Sequence, residues 1–246
     1  MSTAAAAASQ PPLSEPARLI NTFIAPGSTF ADIRRNQSWW APWVLMSIVS
    51  LAFVFVMGQK IGFDQIMRNE IAKKPAQMEQ FEKLSPEQRA RQMEVGAKIT
   101  SYFSYATPVF SLVGGLIVAG VLLAVFNFGA GAEVTFKQSL AIVMYGFLPF
   151  LIHALLGIVS LTVGVDPEGF NVRNPVATNP AYFMNPLEHK FLYGLLTAVD
   201  VFSIWVIVLL GIGYSSVSKL KRSTAILIVA ACFLVYKLAS SALSAL

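Results

Sequence analysis

Apolar residues along this chain gather into long blocks, and polar residues collect between them. The clearest block, residues 102–128, runs for 27 residues without one Asp, Glu, Lys, Arg or His. A bilayer core about 30 Å thick is crossed by roughly 20 apolar helical residues. No water reaches backbone groups there, so an uninterrupted helix is the simplest way to satisfy them. Five blocks meet that measure, at about 39–57, 102–128, 138–164, 191–213 and 223–243. The pattern predicts an all-α polytopic membrane helix bundle: a five-span membrane domain over 39–246, with amphipathic interfacial and extramembrane helices.

The intervening segments predict shorter elements. Residues 1–17 begin with an Ala/Ser/Pro tract lacking the basic start and Leu-rich core of a signal peptide, so a disordered tail is expected. Residues 18–38 read as an amphipathic interfacial segment. Leu19, Ile20, Phe23 and Ile24 share one helix face, flanked by Arg18, Arg34 and Arg35. A packing helix beneath the bundle is the competing reading. Pro26-Gly27 is expected to break this helix, with Thr29 and Asp32 capping a second turn. Trp39, Trp40 and Trp43 at the entrance of the first span read as interfacial anchors, because indole rings favour the headgroup region. Residues 58–101 form a polar insert of two or three amphipathic helices. Its Ser85-Pro86-Glu87-Gln88 combines an N-cap, a proline at the first helical position and a capping-box Gln.

Within the second span, Ser111, Gly115 and Ala119 recur every four residues and form a candidate helix-packing face. Gly146 and Pro149 predict a kink in the third span. The loop after it carries Asn-Pro steps at Asn174, Asn179 and Asn185, which make turns. Its Phe170, Tyr182, Phe183 and Met184 suit it to lying against the bundle. The link between the last two spans is so short that they must be antiparallel neighbours.

Composition narrows the chemistry. The chain is 55% hydrophobic and 13% charged, about half the charge usual in a soluble domain. Its net charge of +5 comes from Lys and Arg flanking the spans, with no basic stripe interleaved with aromatics, so no nucleic-acid partner is expected. A single cysteine, Cys232, excludes an internal disulfide and a Cys/His metal framework. The chain has no HExxH, GxSxG or P-loop motif, so no enzymatic activity, catalytic residue, cofactor or metal site is expected. Three ionisable residues nonetheless fall inside spans: His153, Asp200 and Lys237. Charge in the bilayer is costly, so such groups face the protein interior and pair. All three are displaced from their span centres in the same direction, so a polar cluster is expected, with Asp200 paired to Lys237 and His153 beside them. It serves either as a lock between helices or as a proton or ion pathway.

Several segments also resemble a known family. Phe23-x-x-Pro26-x-x-x-Phe30 precedes the tryptophan-led span, and Phe136-Lys137 opens the third, followed by Tyr145 and Pro149. Asp166 and Asn174-Pro175 follow in the loop, then Asp200-x-Phe202-x-x-Trp205 and Gly211-x-Gly213 in the fourth span. In order and spacing these features resemble the bacterial branch of the Yip (Ypt-interacting protein) domain family, over about residues 17–242. The resemblance implies a five-helix membrane domain with a cytosolic N-terminus. Eukaryotic relatives are linked to Rab-type GTPases through an Asp-Leu-Tyr-Gly-Pro-like segment that is missing here, so no GTPase partner is inferred.

The expectation is a non-enzymatic membrane scaffold, organiser or adaptor subunit. Its partners are the lipid bilayer and other membrane proteins or further copies of itself. The alternative is a small transporter or transporter subunit using His153, Asp200 and Lys237. Five spans put the termini on opposite sides. Counting Lys and Arg gives seven on the N-terminal side and ten on the other, which favours an external N-terminus. The resemblance implies the reverse, a cytoplasmic N-terminus in a bacterial cytoplasmic membrane, and that orientation is adopted.

Overall fold

The computed structural model describes residues 12–245, so most of the expected tail lies outside the described residues. Those described form α-helices, short helical turns and loops, with no strand among them. Four helices are long and apolar enough to cross a membrane: Trp40–Lys60, Thr107–Gly129, Phe136–Val163 and Arg222–Ser244. The fourth expected span is a bent pair, Lys190–Leu196 and Val201–Val217, inclined by 54°. The count is four spans, or five with the pair taken as one. The chain divides into two compact units, and the division cuts through each apolar block.

The first unit comprises Met1–Val44, Gly114–Leu148 and Val206–Cys232. It opens with α1 (Glu15–Ile24) and α2 (Pro26–Ile33). The Ser14 side chain accepts from the Ala17 N–H at the start of α1. A proline disfavours helix in the residue before it, and Ala25 leaves the helical region just ahead of Pro26. Thr29 and Asp32, expected as caps, lie inside α2 and are buried. Arg18, expected on a basic edge, is fully buried. Its Nε and Nη2 donate to Asp32 Oδ2 at 2.8 and 2.5 Å, and its Nη2 also reaches the Asn36 carbonyl at 2.9 Å. Burial pushes the Arg18 pKa down, but hydrogen bonds and charge from Asp32 and Tyr145 outweigh it, and the net shift is upward. The guanidinium stays charged.

This hairpin packs on α8 (Phe136–Gly146), where Tyr145 donates to Glu15 at 2.6 Å. The Thr135 and Gln138 side chains close a capping box at the start of α8, and every residue from Ser139 to Gly146 is buried. Its Ser139 hydroxyl donates to the Ala119 carbonyl at 2.7 Å and shares a 2.5 Å hydrogen bond with Tyr214. Tyr214 lies on α11 (Val201–Val217) and stacks on Phe126 with centroids 4.0 Å apart. Ile20 and Ile24 remain exposed while Arg18 and Thr22 are buried.

The second unit comprises Leu45–Val113, Pro149–Trp205 and Phe233–Leu246. The polar insert forms three helices, α4 (Phe63–Ala72), α5 (Pro75–Glu82) and α6 (Pro86–Tyr105), with the expected capping box at Ser85 and Gln88. α6 reaches Tyr105, inside the expected second span, and Ala106 alone separates it from α7 (Thr107–Ala124), just ahead of Pro108. Met57, Ile61, Ile66, Leu161 and Phe170 form an apolar core between the end of α3 (Trp40–Lys60), α4, α9 (Pro149–Val163) and the following loop. Asn69 on α4 donates to the carbonyls of Pro167 and Phe170 at 2.8 and 3.0 Å, tying insert to loop. Phe170 is buried as expected, whereas Phe183 is exposed.

Replacing Asp32 with Ala would leave Arg18 buried without its counter-charge. Losing one partner of such a pair costs about 3–5 kcal/mol. Asp32→Ala should therefore lower the unfolding midpoint of the detergent-purified protein sharply, and Arg18→Met with Asp32→Leu should recover most of the loss. An unchanged midpoint in the single variant would refute this role for the pair.

Candidate functional site

The fourth span breaks between α10 (Lys190–Leu196) and α11. Thr197 to Asp200 carry the chain across the bend, and the residue that ends the break is Asp200. Its Oδ1 accepts the N–H groups of Phe202 and Ser203, both at 3.0 Å. That is N-cap chemistry, which satisfies two of the donors left free at a helix start. Oδ2 accepts a short hydrogen bond from the Thr178 hydroxyl, and the Val201 N–H reaches the Thr178 carbonyl at 3.3 Å. The loop thereby closes over the break. Asn174 and Asn179, both buried, exchange amide hydrogen bonds at 2.8 and 3.3 Å and hold the loop in shape.

Beside the break lies a cavity of about 740 Å³, lined only by residues of the second unit. His153, Asp200 and Lys237 all line it. His153 sits edge-on to the Phe202 ring, with centroids 5.4 Å apart. Lys237 lies on α12 (Arg222–Ala245). Its Nζ donates to Thr197 at 3.1 Å and lies 5.8 Å from the centre of the Phe233 ring. No ion pair joins Asp200 to Lys237, so the expected direct pairing is corrected. The physical reason is the break. It turns the carboxylate onto backbone N–H groups of its own helix and onto Thr178, leaving Lys237 to a neutral hydroxyl.

The candidate packing face divides. Gly115 and Ala119 are buried, and a Cβ on Gly115 would lie 2.5 Å from Met144 Cε. Ser111 is exposed and returns its hydroxyl to the Pro108 carbonyl at 2.8 Å. At the first span's entrance, Trp39 and Trp43 pack with centroids 6.3 Å apart, and Trp40 is exposed. The spacing of apolar residues did not reveal Thr178, Thr197 or Ser241. Asp200 did carry a readable signal, an Asp directly before an apolar run.

The chain matches the Yip1 domain over residues 20–243. It belongs to the Yip1 domain family. It is also similar to the membrane protein YknW of Bacillus subtilis (strain 168), 26% identical over 196 residues that cover 79% of this chain and 76% of the relative. No solved structure matches it significantly. Family membership and the apolar helices together make this Yip1-domain chain a multi-pass membrane protein. Several residues behind the resemblance have packing roles in it. A Cβ on Gly213 would lie 2.5 Å from Ile142 and 3.0 Å from Phe30, and one on Gly211 would strike the Ile226 backbone.

The two roles of Asp200 separate by substitution. Asn is as good an N-cap as Asp, whereas loss of the cap to Ala costs about 1 kcal/mol. Asp200→Asn should keep an unfolding midpoint near that of the parent in detergent, and Asp200→Ala should fall clearly below both. Equal midpoints for the Asn and Ala variants would mean the cap contributes nothing.

Proposed function

We propose that this Yip1-domain protein is a non-enzymatic membrane adaptor or organiser. Its spans contact other membrane proteins or further copies of itself within the lipid bilayer. The observation that carries the reading is how little of the spans the chain itself covers. In the most apolar part of Arg222–Ser244 only 11% is buried, and in Thr107–Gly129 only 22%. Leu227, Leu234, Val235 and Leu238 on α12 are all exposed. Lipid tails are as apolar as these side chains, so close van der Waals packing is what selects a neighbouring span over lipid. The non-enzymatic part rests on the lack of any nucleophile, base or metal motif in the sequence.

A second reading, a small transporter or transporter subunit, is favoured by the broken fourth span. Non-helical backbone at membrane depth is tolerated where it is buried in protein or lines a cavity. Here it borders the one that His153, Asp200 and Lys237 line. The membrane is taken to be a bacterial cytoplasmic membrane, with the N-terminus on the cytoplasmic side.

Photo-crosslinking residues placed singly at Leu227, Leu234 and Leu238 test the adaptor reading in native membranes. Discrete protein adducts from at least one position are expected. Lipid adducts alone from all three would sink it. Orientation is tested by cysteine labelling at Ser14 and Ser218 in a Cys232→Ala background. Both sites should resist a membrane-impermeant thiol reagent in intact cells, and ready labelling of both would reverse the orientation.

A further inference from the structure

The residues lining the cavity beside the broken span carry an excess of positive charge. Five of its lining residues are Lys or Arg (Lys73, Lys74, Arg173, Lys190 and Lys237), against two carboxylates, Glu70 and Asp200. Glu70 is taken by Lys73 at 2.6 Å and Arg173 at 3.5 Å. Asp200 is taken by two backbone N–H groups and Thr178. Among the described residues, Lys74, Lys190 and Lys237 form no salt bridge with a carboxylate.

Lys237 is the telling member. It stands seven residues before the end of the span Arg222–Ser244, about 10 Å at 1.5 Å per residue. A charge at such depth is costly without compensation. An ammonium has three donors, and only one is engaged, by Thr197. One turn along α12, Ser241 also lines the cavity, 2% exposed, and its hydroxyl oxygen has no hydrogen-bond partner among the described residues. A Cβ on Gly194 would lie 2.5 Å from that oxygen, so only glycine lets α10 approach it this closely. On α10 and its C-cap, Lys190, Tyr193, Gly194 and Thr197 fall at i, i+3, i+4 and i+7 along the cavity. On α12, Lys237, Ser240, Ser241 and Ser244 do the same. Each helix therefore presents one stripe of cations and hydroxyls.

The geometry points to a binding site for an anionic phosphate group, held by Lys237 with the hydroxyl of Ser241, and drawn in by Lys74 and Lys190. The Thr197 hydroxyl, which donates to the Gly194 carbonyl at 2.6 Å and accepts from Lys237, positions the ammonium. A tetrahedral anion offers several acceptors to converging donors, and hydrogen bonds to a charged acceptor are the strong ones. The cavity's size falls in the ordinary range for small-molecule sites, about 300–1,000 Å³. A phospholipid headgroup and a soluble phosphate ester share this chemistry. The site is independent of the adaptor reading, since a bound anion neither requires nor excludes a partner span.

The test uses the full-length protein purified in detergent and in nanodiscs. Binding of inorganic phosphate and of glycerol 3-phosphate is measured by calorimetry. Thermal stability is compared in phosphatidylcholine nanodiscs with and without phosphatidylglycerol. Lys237→Met and the exposed pair Lys74→Gln with Lys190→Gln should each weaken the anion response by about tenfold or more. Lys237→Arg and the control Lys219→Gln, outside the cavity, should retain it. A response to phosphatidylglycerol alone assigns the site to a lipid headgroup, and binding of the soluble probes assigns it to a free phosphate ester. Either supports the site. Wild type and both weakened variants responding equally, or none responding, overturns it. Should Lys237→Met fail to fold, the exposed pair decides the question alone.

Discussion

A backbone N–H or carbonyl inside hydrocarbon can bond only to protein, and this constraint shapes most of what is unusual in the structure. The apolar spans other than the fourth meet it within themselves, and at the turn between α8 and α9 the N–H groups of Phe147 and Leu148 still reach the carbonyls of Val143 and Tyr145. The fourth span does not, because its ladder stops at Leu196 and restarts at Val201. The exposed donors are answered by Asp200, and the Val201 N–H by the Thr178 carbonyl. The same logic governs Ser139, whose hydroxyl is shared between the Ala119 carbonyl and Tyr214 in the fully buried part of α8. In each case a polar side chain supplies what water would supply elsewhere.

Much of the architecture was legible because the bilayer imposes a coarse and long signal. Block length gave the spans, and local chemistry gave the capping box at Ser85 and the helical insert, neither of which depends on distant residues. The family resemblance was legible for a similar reason, since it rests on order and spacing rather than on a catalytic motif. What periodicity misjudged was Arg18. A cation beside an apolar face is ordinarily at a membrane edge, and nothing within α1 reveals that Asp32 waits across the turn at Ala25.

The candidate site was half legible. Rarity of charge in spans singled out His153, Asp200 and Lys237, and they do line one cavity. Their pairing was misread because depth arithmetic assumes a straight helix, whereas the 54° bend redirects the Asp200 carboxylate. Thr178 escaped notice because it belongs to a loop, where no periodicity marks a residue facing the site. Ser241 escaped because a serine in a span is unremarkable until its neighbour is known to be Gly194.

The residues behind the family resemblance and those lining the cavity are largely different sets, which bears on how function could vary on this fold. Gly211 and Gly213 permit close helix contacts, and Tyr145 anchors the N-terminal hairpin. None of the three lines the cavity. Only Asp200 and Asn174 belong to both sets, and both shape backbone: one caps α11, and the other braces the loop that closes on it. These two residues therefore shape the backbone at the break and in the loop that closes over it. Lys74, Lys190, Lys237 and Ser241, which line the cavity, are not among the residues behind the resemblance. Fold and ligand are then separable, and membership of the Yip1 domain family fixes the first while leaving the second to this chain's own side chains.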